Sequence, residues 1–532
     1  MKIVFLNILL IITSFGSYAN TYCVAPTGND TNPGTETQPW ATIQKAANTV
    51  VAGDTVFVKA GTYNERVIVQ HSGTSDNYIV FSGFNNEVVT ITGTGISWGA
   101  SWNGLFDLSD KSYVKIQGFT ITDADYAGIW TENSHHIIIE NNYTFNTFSS
   151  GIGIWNSSYI TIKNNEIELA CNDGEQECIT VSNSNHCEVF ENNVHDNGQG
   201  TNGGEGIDIK QGSYNINVFK NEVHHLNNRL GIYTDAWDRH THDINIYQNR
   251  IHHCSETGLA VASENGGLIE NINIYNNIIY QNKYGGIELG DWSDAGFTGI
   301  KPIKHIKIIN NTCYNNGSYE NGWGFGIEID NPNASDITIR NNICSRNSAQ
   351  IAIQQIESIA IVDHNLFFGN NDASGTLYGT DSIIGNPFFV DTSLYNFHLL
   401  KNSPAIDNGD SLDAPTVDFD DISRPFGSDF DIGAYEYHSS SAVLNEIQPG
   451  ILFTIFPNPC SDKFTVSIKG KSCQQFTLQL FDGKGVLLRK DTYYNVNDNT
   501  IEYYTDGLNS GLYVLTILVN NHLAGSRKLM VE

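Results

Sequence analysis

One asparagine recurs through the middle of the chain inside a short repeated pattern, in which an aliphatic residue, two variable residues, Asn, one variable residue and a second aliphatic residue follow one another. Residues 162–167 read IKNNEI and residues 246–251 read IYQNRI. The repeated asparagines are Asn142, Asn165, Asn192, Asn221, Asn249, Asn277, Asn311, Asn342 and Asn365. Their successive spacings are 23, 27, 29, 28, 28, 34, 31 and 23 residues, and Phe119 lies one further step of 23 upstream. A position that recurs at such a period is the signature of a solenoid of stacked coils.

Each repeat holds short segments of alternating hydrophobicity separated by Asn, Gly and Ser, without helical periodicity between them. The sequence therefore predicts an all-β solenoid with three strands in each coil. An asparagine at one position in every coil can form an internal ladder of side-chain amides, so we assign the nine asparagines to the scaffold.

His224, His225, His252 and His253 occupy one equivalent turn of two successive coils, and we expect a stacked polar ladder there rather than a metal site.

Both ends of the repeat region carry recognisable segments. Residues 22–63 include YCVAPTGND, PWATIQKAA, GDTV and AGTY, which resemble the N-terminal cap and first coil of the pectin lyase-like superfamily. That resemblance implies a right-handed parallel β-helix of about ten coils over residues 20–437, capped by a short helix at about 42–49, because a solenoid needs a cover over its apolar end. Residues 402–436 resemble the closing segment of exported β-helices. Their carboxylates, which include Asp418 and Asp431, suit either a structural calcium ion or a solvated acidic loop.

The termini indicate export. Residues 1–19 have the charged start, apolar run and small-residue end of a signal peptide. Residues 438–450 form a Ser-containing linker, and residues 451–532 resemble the type IX secretion system sorting domain, through the FPNP opening, the GLY strand and the basic last strand. The resemblance implies a small C-terminal β-sandwich, the type IX machinery as a partner, and a secreted or surface-attached protein. No later stretch has the roughly 20 apolar residues of a transmembrane helix.

Composition narrows the function further. The formal net charge is −30, which repels phosphates and argues against a nucleic-acid ligand. Nine cysteines are an odd number, so at least one stays unpaired, while Cys171 and Cys178 are close enough in sequence to pair. We expect a monomer that acts on a polysaccharide outside the cell.

Alignment of the coils on their Gly-Ile or Gly-Leu start predicts outward-facing rows on one sheet. The first row holds Asp208, Tyr233, Ala260, Glu288 and Glu328, and the second holds Lys210, Asp235, Ala262, Gly290 and Asp330. Because Ala260, Ala262 and Gly290 are small, we expect a depression there. The predicted substrate-binding residues around it are Tyr233, Trp237, Arg239, Glu288, Asp291 and Trp292.

Paired carboxylates in such a groove are typical of glycoside hydrolases. We predict Asp235 and Glu264 as the working pair, with Asp208 and Lys210 as further catalytic residues. With coils about 4.8 Å apart, Asp208 and Asp235 are expected about 5 Å from each other. Crowding of carboxylates should raise the pKa of one member, as a general acid requires.

Two other functions fit the same residues. In a calcium-assisted polysaccharide lyase, Asp208, Asp235 and Asp238 would hold Ca²⁺, and Lys210 or Arg239 would remove the proton. The segment YTDAWDRH at 233–240 is loosely similar to the calcium segment of family 9 pectate lyases, but it lacks their adjacent Asp-Asp pair. The third candidate is a glycan-binding or adhesive surface protein without catalysis, because the fold alone fixes no function.

Overall fold

The computed structural model describes residues 19–531, with gaps at 100–101, 173–175, 200–202, 228, 294–295, 318–323, 348–352, 356–358, 370–375, 439–450, 457–459, 471–472, 483–486, 497–498, 506–507 and 520–521. Residues 1–18 of the predicted signal peptide, residues 439–450 of the predicted linker and the Pro-Asn-Pro opening at 457–459 lie outside the described residues. Two compact units divide the chain, one over 1–391 and 397–437 and the other over 392–396 and 438–532.

Three long parallel sheets build the N-terminal unit, and most coils give one strand to each sheet. Wall A contains, among the described residues, the 13 strands Thr21–Val24, Thr55–Val58, Ile79–Gly83, Ser112–Gln117, His135–Glu140, Ser158–Lys163, Asn185–Phe190, Tyr214–Phe219, Thr241–Tyr247, Ile269–Tyr275, Ile303–Ile309, Ala334–Arg340 and Ile359–Asp363. Wall B contains, over the same described part, the 11 strands Val67–Ile68, Gly104–Asp107, Ala127–Glu132, Ile152–Trp155, Ile179–Ser182, Ile207–Lys210, Ile232–Asp235, Leu259–Ala262, Gly285–Gly290, Phe325–Ile329 and Ile353–Gln355. Wall C contains, with the same gaps, the 13 strands Gly61–Tyr63, Val89–Thr92, Thr120–Thr122, Tyr143–Phe145, Glu166–Glu168, Asn193–His195, Glu222–His224, Arg250–His252, Ile278–Tyr280, Thr312–Tyr314, Ile343–Ser345, Leu366–Phe368 and Ile383–Ile384.

The predicted all-β parallel solenoid with three strands in each coil is confirmed. The stack is longer than the roughly ten coils expected, because the coils before Phe119 lack the asparagine from which the count was made. Other short elements of the chain are the helix Ile43–Ala47, the 3-10 turns Phe84–Asn86 and Thr392–Leu394, and the strands Phe389–Asp391 and Asn396–Leu399. No helix in the described residues is long and apolar enough to cross a membrane.

Period-two alternation fills the interior with aliphatic columns. On wall B, Ile207 pairs in register with Ile232, and Ile232 pairs with Leu259, all with no exposed surface. Glycine begins most coils on this wall because the backbones approach closely. A Cβ on Gly206 would lie 2.5 Å from the carbonyl oxygen of Gly231 on the next coil, which is closer than atoms of this kind can approach.

The asparagine series forms the predicted ladder at the turn between walls A and C. Each side-chain amide donates to the Oδ1 of the next asparagine at 3.0 to 3.1 Å, from Asn142 to Asn365. The same Oδ1 atoms accept backbone N–H groups, and the backbone N–H of Phe119 donates to Asn142 at 3.2 Å, which places Phe119 at the start of the series. Because both amide groups are buried and bonded, the ladder fixes the register of successive coils.

The N-terminal end of the stack is closed. The helix Ile43–Ala47 starts at Thr42, whose hydroxyl accepts the N–H of Lys45, and it buries its apolar face on the core. This confirms the predicted cap.

The closing segment lies along the turn between walls A and C, where the side chains of Gln248 and Asn310 donate to the carbonyl oxygens of Asp418 and Asp431. Within this segment, Arg424 and Glu436 form a fully buried ion pair at 2.6 Å.

The carboxylates of the closing segment serve its own backbone. Asp418 accepts the N–H groups of Asp420, Ile422 and Glu436, and Asp431 accepts those of Asp407 and Tyr437. Among the described residues, these carboxylates form no set of three ligand atoms within 4.8 Å of one another. Asp418 and Asp431 are therefore part of a buried polar network, whereas Asp420, Asp421 and Asp429 of the same segment are exposed.

The cysteine side chains that the structure describes are buried, and Cys171 and Cys178 contact each other as thiols rather than in a disulfide. The C-terminal unit has two antiparallel sheets around a separate apolar core, in agreement with the predicted small β-sandwich. Its strands are Ile451–Phe456, Lys463–Gly470, Asn499–Tyr504, Cys473–Asp482, Leu487–Val496, Gly511–Val519 and His522–Val531.

Candidate functional site

A cluster of charged side chains lies on the outer face of wall B, where the sequence predicted it. Asp208 and Lys210 alternate along the strand Ile207–Lys210, and Asp235 ends the next strand, Ile232–Asp235. The register pairs Asp208 with Tyr233. Asp235 is thus diagonal to Asp208, and a 4.8 Å strand spacing with a rise of two residues separates their Cα atoms by about 8 Å. The expected separation of about 5 Å counted only the spacing between coils and left out the rise of two residues along the strand, so it underestimates the distance between the two Cα atoms.

Lys210 is the centre of this cluster. Its Nζ lies 2.6 Å from Oε1 of Glu177 and 3.7 Å from Oδ2 of Asp208, and it also lies 5.9 Å from the centre of the Trp155 ring. The second carboxylate oxygen of Glu177 accepts the hydroxyl of Thr180 at 2.8 Å. Lys210 is almost fully buried, so its ammonium group is compensated by carboxylates rather than by water.

Burial and crowding raise the pKa values of the carboxyl groups. Burial raises the pKa of Asp235 to about 8, with a further contribution from Glu264, against the opposing effect of Lys210. Burial also raises the pKa of Asp208, and the charges of Glu177 and Asp235 add to the shift. For Lys210, burial disfavours the charge, but Glu177, Asp208 and Asp235 outweigh it and raise the pKa. Asp235 is therefore mainly protonated at neutral pH, while Lys210 keeps its proton.

Two carboxyl oxygens in the cluster are buried without a hydrogen-bond partner: Oδ1 of Asp208 and Oδ1 of Asp235. Unsatisfied buried oxygens are costly, and they often mark a place that a ligand completes. Calcium fits the site only in part, because two free oxygens are available and the Lys210 ammonium lies beside them. Among the described residues, Asp208, Asp235 and Asp238 do not bring three ligand atoms within 4.8 Å of one another.

Glu264 and Tyr233 form a second contact above Asp235. The Tyr233 hydroxyl donates a short hydrogen bond to Oε1 of Glu264. Tyr233 is 5% exposed, whereas Glu264 is half-buried on the segment that follows the strand Leu259–Ala262. Glu264 is therefore the more accessible carboxylate, and it is held in place by a neutral donor.

The depression expected over the small residues is filled. Ala260 and Ala262 have no exposed surface, and the Trp292 ring packs over Gly290 and lies 5.6 Å from the Tyr233 ring. The sequence showed the small residues but not the turn that brings Trp292 back over them.

Glu288 and Asp291 extend the acidic surface along wall B. Glu288 pairs in register with Glu328, and burial raises the pKa of Glu288 to about 8, despite a hydrogen bond from Thr257 at 2.8 Å. Asp291 is exposed and forms an ion pair with Lys301.

The turn after the Asp235 strand carries the remaining predicted residues. Trp237 is half-buried with a left-handed backbone, and its carbonyl accepts the N–H groups of Asn265 and Gly267. Asp238 and Arg239 are exposed. The structure therefore brings Asp208, Lys210, Asp235, Tyr233 and Glu264 together and leaves Asp238 and Arg239 at the rim.

Sequence reasoning missed Glu177 and Glu205. Glu205 is half-buried, faces Arg229 with 3.6 Å between Nε and Oε1, and has a pKa raised to about 7 by burial and by Glu177. Both acids stand just before a strand of wall B, and Glu205 directly precedes the repeated glycine at position 206. Because Glu205 comes directly before the glycine on which the coils are aligned, the alignment extended by one residue would have indicated it.

The histidine turn has the predicted stacked form. The rings of His224 and His252 are 5.0 Å apart and nearly parallel, and those of His225 and His253 are 4.9 Å apart. One nearby group, Glu166, Glu168 and His195, has ligand atoms within 4.8 Å of one another.

Three parts of the chain match family models. Residues 22–173 match the model described as Pel9A-like, right handed beta helix region, and residues 201–301 match the one described as right handed beta helix region. Residues 454–532 match the secretion system C-terminal sorting domain. This chain is a right-handed β-helix protein with a type IX sorting domain. The β-helix protein is exported to the cell surface or the extracellular space, as predicted.

Known proteins resemble it over different lengths. The uncharacterized protein YwoF of Bacillus subtilis (strain 168) is 36% identical over 128 residues, which are 23% of this chain and 27% of that protein. The match therefore spans about a quarter of the curated relative. The solved complex of XylC with xylose has a TM-score of 0.52 at 14% identity, covering 78% of this chain and 98% of that one. The pectate lyase Pel9A has a TM-score of 0.49 at 18% identity, covering 79% and 97%. At 14% identity, the likeness to XylC shows the fold alone.

Proposed function

We propose that the β-helix protein cleaves a polysaccharide on wall B as a glycoside hydrolase, with Asp235 as general acid and Glu264 as its partner. The supporting observation is the contrast between two neighbouring carboxyl groups. Asp235 is buried with a pKa of about 8, and Glu264 is half-buried and bonded to Tyr233. Two carboxyl groups in different environments are what acid and base roles require.

In this mechanism, the proton of Asp235 passes to the glycosidic oxygen as the bond to the anomeric carbon breaks. Glu264 then either accepts a proton from the attacking water, which inverts the anomeric configuration, or attacks that carbon itself, which retains it. Burial and the charge of Glu264 keep Asp235 protonated against the opposing effect of Lys210, and Asp208 and Lys210 are proposed to position it. The side chains of Tyr233, Trp237, Arg239, Glu288, Asp291 and Trp292 are proposed to bind the sugars on either side.

A calcium-assisted lyase is the second candidate, because residues 22–173 match a Pel9A-like model. Lys210 is a poor base for that reaction, since its pKa is raised and its ammonium group is bound to Glu177. Arg239 at the rim would have to take its place, with Asp208, Asp235 and Asp238 around Ca²⁺. A non-catalytic glycan binder is the third candidate.

Three outcomes distinguish the hydrolase, the lyase and the binder when the purified protein is incubated with xylan, mixed-linkage β-glucan and polygalacturonate, each with and without EDTA. A hydrolase releases reducing ends without ultraviolet absorbance and without a need for calcium. A lyase forms an absorbing unsaturated product that EDTA abolishes, and a binder forms neither.

The assignment of residues is tested by Asp235→Asn and Glu264→Gln, each of which should lower kcat by at least a hundredfold. Glu270→Gln, on a half-buried carboxylate of wall A, is the matched control and should keep full activity. Activity should also fall above about pH 8, where Asp235 loses its proton. Full activity in both site variants would refute the assignment.

A further inference from the structure

Wall A carries a long groove that the proposed reaction on wall B does not use. Its main part has a volume of about 800 Å³ and extends from His136 to Asn273. A second hollow of about 370 Å³ shares Asn245 and Asn273 with it and continues to Lys307. The two together cross seven strands of wall A, which at 4.8 Å per strand is a length of about 29 Å. A groove of this length along the coil axis suits an extended polymer better than a small molecule.

One side of the groove is a column of aromatic rings. Tyr113 stacks on His136, His136 on Tyr159 and Tyr159 on His186, with ring centres 4.6, 4.7 and 4.7 Å apart. All four residues have a left-handed backbone, with φ between 54° and 56°. This conformation is unfavourable for such residues. Its repetition in successive coils keeps the rings along the groove, and Tyr159 is 48% exposed.

The floor of the groove is polar and repeats with the coils. Asn217, Asn245 and Asn273 occupy one register row, and each amide donates to the one before it at 2.9 Å. Thr161 and Glu188 continue the same row. The floor therefore offers hydroxyl, carboxylate and amide groups at each strand spacing, which are the groups that bind sugar hydroxyls.

The charge of the groove selects among polymers. Glu188 and Asp243 line it, while Lys307, the lysine at its far end, forms an ion pair with Asp413 at 2.8 Å. Together with the formal net charge of −30, this arrangement disfavours a polyanion such as a polyuronate.

We propose that the wall A groove is a second carbohydrate-binding site, which holds an extended neutral polysaccharide away from the reaction on wall B. The inference rests on the proposed function only in taking the ligand to be a polysaccharide. A chain bound along wall A would keep the enzyme on its substrate, so the site should raise activity on polymers without changing activity on short oligosaccharides.

Native gels that contain xylan, mixed-linkage β-glucan or polygalacturonate test the proposal through retardation of the full exported protein. The variant is Tyr159→Asn with His186→Asn, because asparagine tolerates the left-handed backbone and already stands at the equivalent position 215. Loss of both rings should raise the Kd for a neutral polysaccharide about tenfold. Phe148→Ala, at a ring 46% exposed outside the groove, is the control and should bind as the wild type does. Equal melting temperatures show that the variants are folded.

Asp235→Asn separates this proposal from the proposed function. Retardation by xylan or β-glucan that survives Asp235→Asn and is lost in the double variant supports the wall A site, whether or not the protein proves to be a hydrolase. Retardation that survives the double variant, that appears with polygalacturonate alone, or that occurs with none of the three polymers overturns it.

Discussion

Replacement of Asp235 by asparagine should stabilise the β-helix unit at neutral pH, and the gain should depend on pH. The folded chain holds this buried carboxyl with a pKa of about 8, whereas its ordinary value is 3.8. The unfolded chain therefore releases the proton between pH 4 and pH 8 while the folded chain keeps it. Stability is lost as the pH rises through this window, because the folded state binds more protons there.

The magnitude follows from the same two values. Each pH unit is worth about 1.4 kcal/mol, so the cost at pH 7 is at most about 4 kcal/mol. Asparagine has a similar shape and no charge. We expect it to recover about 2 to 4 kcal/mol at pH 7, because the proton difference between the folded and unfolded states is removed. The gain should be almost nothing at pH 4, because that difference has not yet developed there.

Urea unfolding followed by tryptophan fluorescence measures this difference. All eight tryptophans lie between Trp40 and Trp323, so the signal comes from the β-helix unit. Asp336→Asn, at a carboxylate with 63% of its side chain exposed, is the matched control and should change stability little at any pH. If Asp235→Asn destabilised the unit equally at pH 4 and pH 7, the inferred burial of an uncompensated carboxyl would be wrong.

Three further substitutions test the scaffold by the same unfolding measurement. Asn249→Ala removes a ladder rung, leaves the buried carbonyl of Val218 and the amide of Asn221 without their bonds, and should cost about 2 to 5 kcal/mol; a loss below 1 kcal/mol would contradict the ladder. Gly231→Ala places a Cβ 2.4 Å from a carbonyl oxygen of the next coil and should cost at least about 2 kcal/mol; an unchanged midpoint would argue against that close approach. His253 has a pKa lowered to about 4 by burial and by the neighbouring histidines, so its contribution to stability is present above pH 6.5 and lost as the pH falls toward 4. His253→Asn should therefore gain about 1 kcal/mol over the wild type at pH 4.5, after allowance for solvent screening, and little at pH 7; an equal effect at both values would refute the assignment.

The candidate site shows where inference from sequence stopped. Period-two alternation placed Asp208, Lys210 and Asp235 on one outer wall, because side chains of a strand must alternate between its faces. It did not place Glu177, which reaches Lys210 from the turn before its strand, or Trp292, which covers Gly290 from the turn after. Turns have no fixed period, so their side chains cannot be positioned by counting residues.

The sequence by itself determined the solenoid, its asparagine ladder, its N-terminal cap and its export, because each depends on a repeated or local pattern. Only the tertiary structure decided which carboxyl groups are buried together, which amine compensates them, and that wall A carries a continuous groove. Burial and charge coupling depend on side chains that are about 30 residues apart in the chain. The stacking of the coils brings these side chains within a few ångströms of one another. Those contacts set the pKa of Asp235, and with it the chemistry proposed for the site.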